Sequence, residues 1–189
     1  MKKFEDDIIS SINVLQNGGI ILYPTDTIWG IGCDATNAIA VKKIYQLKKR
    51  EEKKSMIILL AYESDIENYV LHPSKKIIDF ISQQKRPTTA IFENAINLPR
   101  ELINSDRSIA IRIVKDEFCE TLIQRLQSPL VSTSANISGD ASPENFKTIN
   151  DQIKNGVDYI VQHRQNELHI SQPSSIIKLN SREEIEKIR

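Results

Sequence analysis

The chain has 189 residues, 40% of them hydrophobic, which suffices for one sizeable core, and no composition break divides it, so a single domain over residues 1–189 is expected. Its 25 Lys and Arg balance 25 Asp and Glu, which excludes a global field that recruits nucleic acid and leaves any anion site local. The two cysteines, Cys33 and Cys119, lack CxxC spacing and exclude a disulfide framework, and "MKKFEDDIISSINVLQNGG" reads as neither signal peptide nor membrane span; a soluble, cytoplasmic chain without a membrane partner is expected.

Phe4, Ile8, Ile12 and Leu15 recur at helical spacing and stop at Gly18-Gly19, after which "IILY" reads as a short buried strand. The stretch "ILYPTDTIWGIGCDA" then reads as a loop following that strand. A second helix begins at Asn37, turns Val41, Ile44 and Tyr45 inward and runs out near Lys48; "SMIILL" is the next strand. Ser74 caps a helix with Ile77, Ile78 and Ile81 on its core side, and "TTAIFE" follows as a strand. In "SIAIRIV", Ile109, Ile111 and Ile113 alternate with Ser108, Ala110 and Arg112, so Arg112 points off the face opposite the isoleucines, where an arginine needs an anion. Glu117 to Gln127 reads as a helix, "PLVSTS" as a strand, Asn145 to Asn155 as one weaker helix, "YIVQ" as a strand and "SSIIKL" as the last strand, before an acidic turn and "IEKIR". The alternation predicts an α/β fold whose sheet mixes parallel and antiparallel pairs, with flanking helices.

Polar residues collect where these strands end: Thr25, Asp26 and Thr27 after the first, Lys48, Arg50, Lys53 and Lys54 before the next, Ser132, Thr133, Ser134 and Asn136 after "PLV", and Ser174 and Ser175 near the end. Ligands of open α/β sheets bind at strand ends, where hydroxyls and free amides approach an anion closely, so one site assembled from four segments is expected. No P-loop motif occurs, and His72, His163 and His169 have no metal-ligand spacing. Gly30-Ile31-Gly32-Cys33-Asp34-Ala35 has the form G-x-G-x-x-A of a dinucleotide turn, with Glu51 or Glu52 about twenty residues on. The preceding "PTDTIW" is no clean strand, however, and basic residues flank those glutamates.

Together, "YPTDTIWGIGCDA", "LKKREEKKSMIIL", "SIAIRI", "STSANISG" and "PSSIIKL" resemble, in order and spacing, the YrdC family of threonylcarbamoyl-AMP synthases, from the first strand to the C-terminus. The resemblance implies a twisted mixed sheet with a concave, positively lined cavity. It also implies an enzyme, a nucleotidyltransferase that joins L-threonine, bicarbonate or CO2 and ATP into threonylcarbamoyl adenylate and pyrophosphate, for N6-threonylcarbamoylation of tRNA. Mg²⁺ is the expected counter-ion of ATP, and downstream tRNA threonylcarbamoyl transferase proteins are the expected partners, with tRNA itself bound at most weakly.

The resemblance carries over residue by residue. Lys48 and Arg50 match the family's K-x-R and are the expected catalytic cations. Thr27, Arg112, Ser134 and Ser174 are expected to hold threonine. Arg50, Lys54, Ser108, Asn136, Glu144 and Arg189 are expected on the ATP side, Lys54 on its own chemistry and Glu144 from its place near the nucleotide edge. The chain departs from the pattern at Glu51, where a proline is usual, at Lys54 and Leu59, and at Arg86-Pro87-Thr88-Thr89, which lacks the usual glycine. Trp29 and Cys33 are expected in the core rather than in the site. Two other functions stay open from the residues alone: a non-catalytic RNA-binding module and, further off, a nicotinamide-dependent oxidoreductase.

Overall fold

The computed structural model describes residues 3–51, 56–168 and 172–188. Helix α1 (Glu5–Gln16) carries Glu5, Asp6 and Asp7 in its first turn, where they complement the helix dipole. It ends as the two glycines predict. Gly18 takes φ 71°, and the Gly18 and Gly19 amides donate to the Leu15 and Val14 carbonyls at 3.0 and 2.9 Å.

Strand β1 (Ile21–Tyr23) is fully buried, and the chain returns antiparallel to it as β2 (Gly30–Gly32). The glycine pair expected in a loop is therefore strand, and the dinucleotide turn is excluded because no strand-to-helix turn exists at these glycines. Their role is space. A Cβ on Gly32 would stand 2.6 Å from the Val131 carbonyl oxygen and 2.7 Å from the Tyr23 ring.

Helix α2 (Ala38–Leu47) starts at Asn37, whose side chain accepts from the Ile39 and Ala40 amides at 3.0 and 3.1 Å, and it buries Val41, Ile44 and Tyr45. Next come β3 (Ile57–Leu60), α3 (Lys75–Gln83), β4 (Thr88–Phe92), β5 (Ile109–Ile113), α4 (Glu117–Leu126) and β6 (Leu130–Ser134). The single helix expected over 145–155 is two pieces, a 3₁₀ turn (Phe146–Thr148) and α5 (Asp151–Gly156). Asn150 starts the second by accepting from the Gln152 amide at 2.7 Å. After β7 (Tyr159–Ile160) and β8 (Ser175–Leu179), "IEK" adds an unexpected strand, β9 (Ile185–Lys187), antiparallel to β8.

Among the described residues the strands form one sheet of order β7-β1-β2-β6-β3-β5-β4-β8-β9. Three pairs are parallel, β1 with β7, β3 with β5 and β4 with β8; the others are antiparallel. Register puts Val131, Ile58, Ile111, Ala90 and Ile177 in one buried row across five strands. Helices α1, α4 and α3 pack against β1, β3 and β4. The opposite face carries Ser132, Ile57, Ala110, Arg112, Thr89 and Ile176 and stays open as a cavity. No helix among the described residues is long and apolar enough to cross a membrane.

Candidate active site

The β1–β2 connection is held by its own hydroxyls. Thr25 Oγ1 accepts from the Thr27 amide at 3.0 Å and donates to the Ile28 carbonyl at 2.8 Å, and the Thr25 and Thr27 hydroxyls meet at 2.9 Å. Since the Thr25 proton goes to Ile28, Thr27 donates to Thr25. Thr27 Oγ1 in turn accepts from Arg112 Nη1 at 3.1 Å, which leaves it one acceptor position towards the cavity.

Arg112 projects from β5 between Leu59 and Thr89 and is 3% exposed. It leaves the face opposite the isoleucines, as alternation predicts, but buried rather than solvated. Its Nη2 lies 3.1 Å from Asp26 Oδ1, yet the alignment is not that of a hydrogen bond, and Nε and Nη2 have no hydrogen-bond partner. Burial pushes the Asp26 carboxyl above the usual carboxylate range, and the Arg112 charge opposes that rise without cancelling it.

Across the sheet the Thr89 and Ser174 hydroxyls share a hydrogen bond of 2.8 Å. Past the end of α2, Lys49 takes the left-handed conformation at φ 50°, and the Lys49 and Arg50 amides donate to the Gln46 and Tyr45 carbonyls at 3.1 and 2.9 Å. That reversal brings Arg50 to the cavity wall, half-buried, where burial lowers its pKa.

Five of the expected residues, Thr27, Arg50, Arg112, Ser134 and Ser174, line one cavity of about 240 Å³. Its hydroxyl wall is completed by Thr89, Ser132, Thr133 and Ser142, and its apolar wall by Ile28, Met56, Ile57, Pro173 and Ile176. No carboxylate side chain is among these lining residues. The sequence puts Asp26 among the strand-end polar residues of the expected site without giving it a role, and it does not announce Thr89 as a site residue. The first stands between two hydroxyls in "PTDT"; the second could be found only by knowing that β4 lies beside β5 and β8.

The other expected residues sit elsewhere. Lys48 is not on the cavity wall: it is 1% exposed, and its ammonium donates to the Ser134 carbonyl, to the Asn136 carbonyl at 2.6 Å and to Asn136 Oδ1 at 3.5 Å. The Asn136 amide nitrogen closes its own loop by donating to the Ile137 and Asp140 carbonyls at 3.0 and 2.8 Å. Ser108 shares Arg112's side of β5 but lies four residues back, about 13 Å at ~3.3 Å per residue. There its hydroxyl accepts from Asn104 at 2.9 Å, and it lines a separate cavity with Asp106 and Ser74. Glu144 borders a small pocket behind Thr25 and Trp29, beside Arg164. Lys54 and Arg189 lie outside the described residues. Trp29 and Cys33 are in the core, as expected.

A mixed α/β sheet whose open face holds a buried, incompletely partnered arginine among hydroxyls presents donors of the kind that bind small anions. Residues 13–189 match the family model of the Sua5, YciO and YrdC proteins, described as "Telomere recombination", and the chain belongs to that family. It is 31% identical over 160 residues to the threonylcarbamoyl-AMP synthase of Pseudoalteromonas translucida, covering 83% of this chain and 86% of that protein. With a putative threonylcarbamoyl-AMP synthase of Methanocaldococcus jannaschii it shares 36% identity over 168 residues, 87% of this chain and 76% of that one. In fold it is similar to E. coli YciO, with a TM-score of 0.82 at 20% identity over 97% of this chain and 88% of that chain. It is also similar to P. abyssi Sua5 complexed with L-threonine, with a TM-score of 0.83 at 22% identity over 95% of this chain. The match covers 52% of that Sua5 chain, about half its length.

Proposed function

We propose that this cavity makes L-threonylcarbamoyl adenylate and pyrophosphate from L-threonine, bicarbonate or CO2 and ATP, in the cytoplasm, as a nucleotidyltransferase feeding tRNA modification. Of two curated relatives, the one 31% identical bears the name threonylcarbamoyl-AMP synthase and the one 36% identical the name putative threonylcarbamoyl-AMP synthase. The single observation that carries the reading is the Arg112 guanidinium, buried on the cavity wall with Nε and Nη2 lacking hydrogen-bond partners. An Arg edge of that kind takes a carboxylate in a two-pronged bond, which fits the amino-acid end of threonine.

The amine of threonine adds to CO2 and loses a proton to give a carbamate. A carbamate oxygen then attacks the α-phosphorus of ATP while the bond to the α–β bridging oxygen breaks and pyrophosphate leaves. Arg112 holds the carboxylate out of the way of that attack. Thr27 Oγ1, whose proton is committed to Thr25, can only accept, so it suits the substrate's hydroxyl as donor. The Thr89 and Ser174 hydroxyls, joined at 2.8 Å, form the facing wall. Arg50 faces charge developing on the phosphates, where a preorganised cation contributes most. Ser134 and Ser142 add donors to the same wall.

Mg²⁺ would arrive on the triphosphate, since nucleotide-bound Mg²⁺ is held by phosphates, waters and one or two carboxylates. Asp26 is engaged by Arg112, and no group of three His, Cys, Asp or Glu stands ready among the described residues. The adenylate would pass to separate tRNA threonylcarbamoyl transferase proteins, and with zero net charge this chain would bind tRNA at most weakly at physiological salt.

Pyrophosphate release that requires ATP, L-threonine and bicarbonate together tests the reading. Release that ignores the amino acid refutes the threonine assignment, and submicromolar tRNA binding with no pyrophosphate release favours the RNA-binding alternative.

A further inference from the structure

An ammonium has three protons to donate. For Lys48 three oxygens are in place to receive them: the Ser134 carbonyl, the Asn136 carbonyl at 2.6 Å and Asn136 Oδ1 at 3.5 Å, the longest and weakest of the three. A phosphate oxygen could be served only by breaking one of these. The backbone of the same residue is tied into the same loop, its carbonyl accepting from the Ser138 amide at 2.8 Å. Lys48 is thus fastened at both ends to residues 134–138. The loop's near end, Ser134, lines the cavity, and two residues beyond Lys48 the left-handed turn at Lys49 delivers Arg50 to that cavity.

We propose that Lys48 is a positioning residue rather than a phosphate ligand: its ammonium fixes the loop carrying Ser134 and Asn136 to the turn carrying Arg50, and so sets the distance between two walls of the cavity. Burial, with the neighbouring Arg50 charge, pulls its pKa down to about 7, and the ring of oxygens is what favours the ammonium there. A lysine side chain reaching into the cavity would line its wall; this one is 1% exposed and is not among the lining residues. The inference rests on the adenylate-forming reading only for the identity of the ligands used to test it.

The test is Lys48→Met, of similar length and without the charge, with threonine affinity measured by calorimetry in the absence of nucleotide. Positioning predicts that threonine binding weakens ~10-fold or more although no phosphate is present, and that kcat/KM falls for threonine and ATP alike. Threonine affinity equal to wild type, with ATP binding alone impaired, overturns the proposal. Should Lys48→Met fail to fold, a structure of the wild type with threonine and a non-hydrolysable ATP analogue decides. Nζ is expected to stay on the Ser134 and Asn136 oxygens, and a phosphate oxygen within hydrogen-bond distance of Nζ refutes the assignment. Wild-type protein that binds both ligands yet releases no pyrophosphate overturns the adenylation reading, and the same two measurements still judge Lys48.

Discussion

Arg112 and Asp26 lie 3.1 Å apart, yet the carboxylate leaves the guanidinium's Nε and Nη2 without hydrogen-bond partners. The pair compensates charge without using the donors that a ligand needs. Because burial outweighs Arg112 at Asp26, its folded pKa is raised, and the stability it contributes is fully present below the unfolded carboxylate value and lost as pH rises through the folded one. Asp26→Asn removes that loss. Denaturant melts from pH 4 to 7 are therefore expected to show the wild type losing its advantage over the variant as pH rises. An advantage that grows with pH would mean that the Arg112 attraction wins.

Arg112→Lys keeps a cation near Asp26 but removes the planar fork. The loss of one charge-assisted hydrogen bond, about 1.5–3 kcal/mol, corresponds to ~10- to 150-fold weaker threonine binding. Equal affinity in calorimetry would show that the carboxylate binds elsewhere.

Arg50→Ala is expected to cut turnover by roughly 10²- to 10³-fold, the scale of one preorganised donor, with little change in melting temperature. Lys49 is its control. The left-handed φ of 50° suits glycine, so Lys49→Gly should retain wild-type turnover and be no less stable, by up to ~1 kcal/mol. Wild-type turnover in Arg50→Ala removes Arg50 from the chemistry.

Thr27, limited to accepting, gives a substrate order. Serine keeps the hydroxyl and loses one methyl, so it is expected to be used roughly 10- to 200-fold less efficiently than threonine, while valine, which cannot donate to Thr27, falls below serine. Amino-acid-dependent pyrophosphate release at saturating ATP and bicarbonate measures the order. Valine equal to threonine would assign Thr27 to the turn alone.

Local rules carried a large part of this fold because they act locally. Asn37 caps α2, Gly18 and Gly19 end α1, and the alternation in β5 puts Arg112 opposite the isoleucines, each decided within a few residues. What failed depended on distant partners. Gly30 and Gly32 break the look of a strand, and the Tyr23 ring and Val131 carbonyl that demand a glycine at position 32 come from two other strands. The segment "IEK" has too few apolar residues to announce β9 and becomes strand by pairing with β8. The same division runs through the site. Hydroxyls at strand ends were visible, but that Thr89 meets Ser174, that Lys48 is spent on the 134–138 loop and that Ser108 faces another cavity depend on strand order.

The hydrogen bond between Thr89 and Ser174 joins residues 85 positions apart, on a parallel pair whose intervening chain must already have found its place. During synthesis the cavity therefore has no far wall until residue 174 has been made, long after Thr27 and Arg112 exist. Until β8 arrives, one edge of β4 is an open ladder of amides and carbonyls, the kind of surface that pairs with whatever strand is nearest. Late, long-range closure slows folding. Chain growth thus sets a clock on the cavity, and a ribosome paused before β8 presents a nearly finished sheet whose cavity is still open on one side.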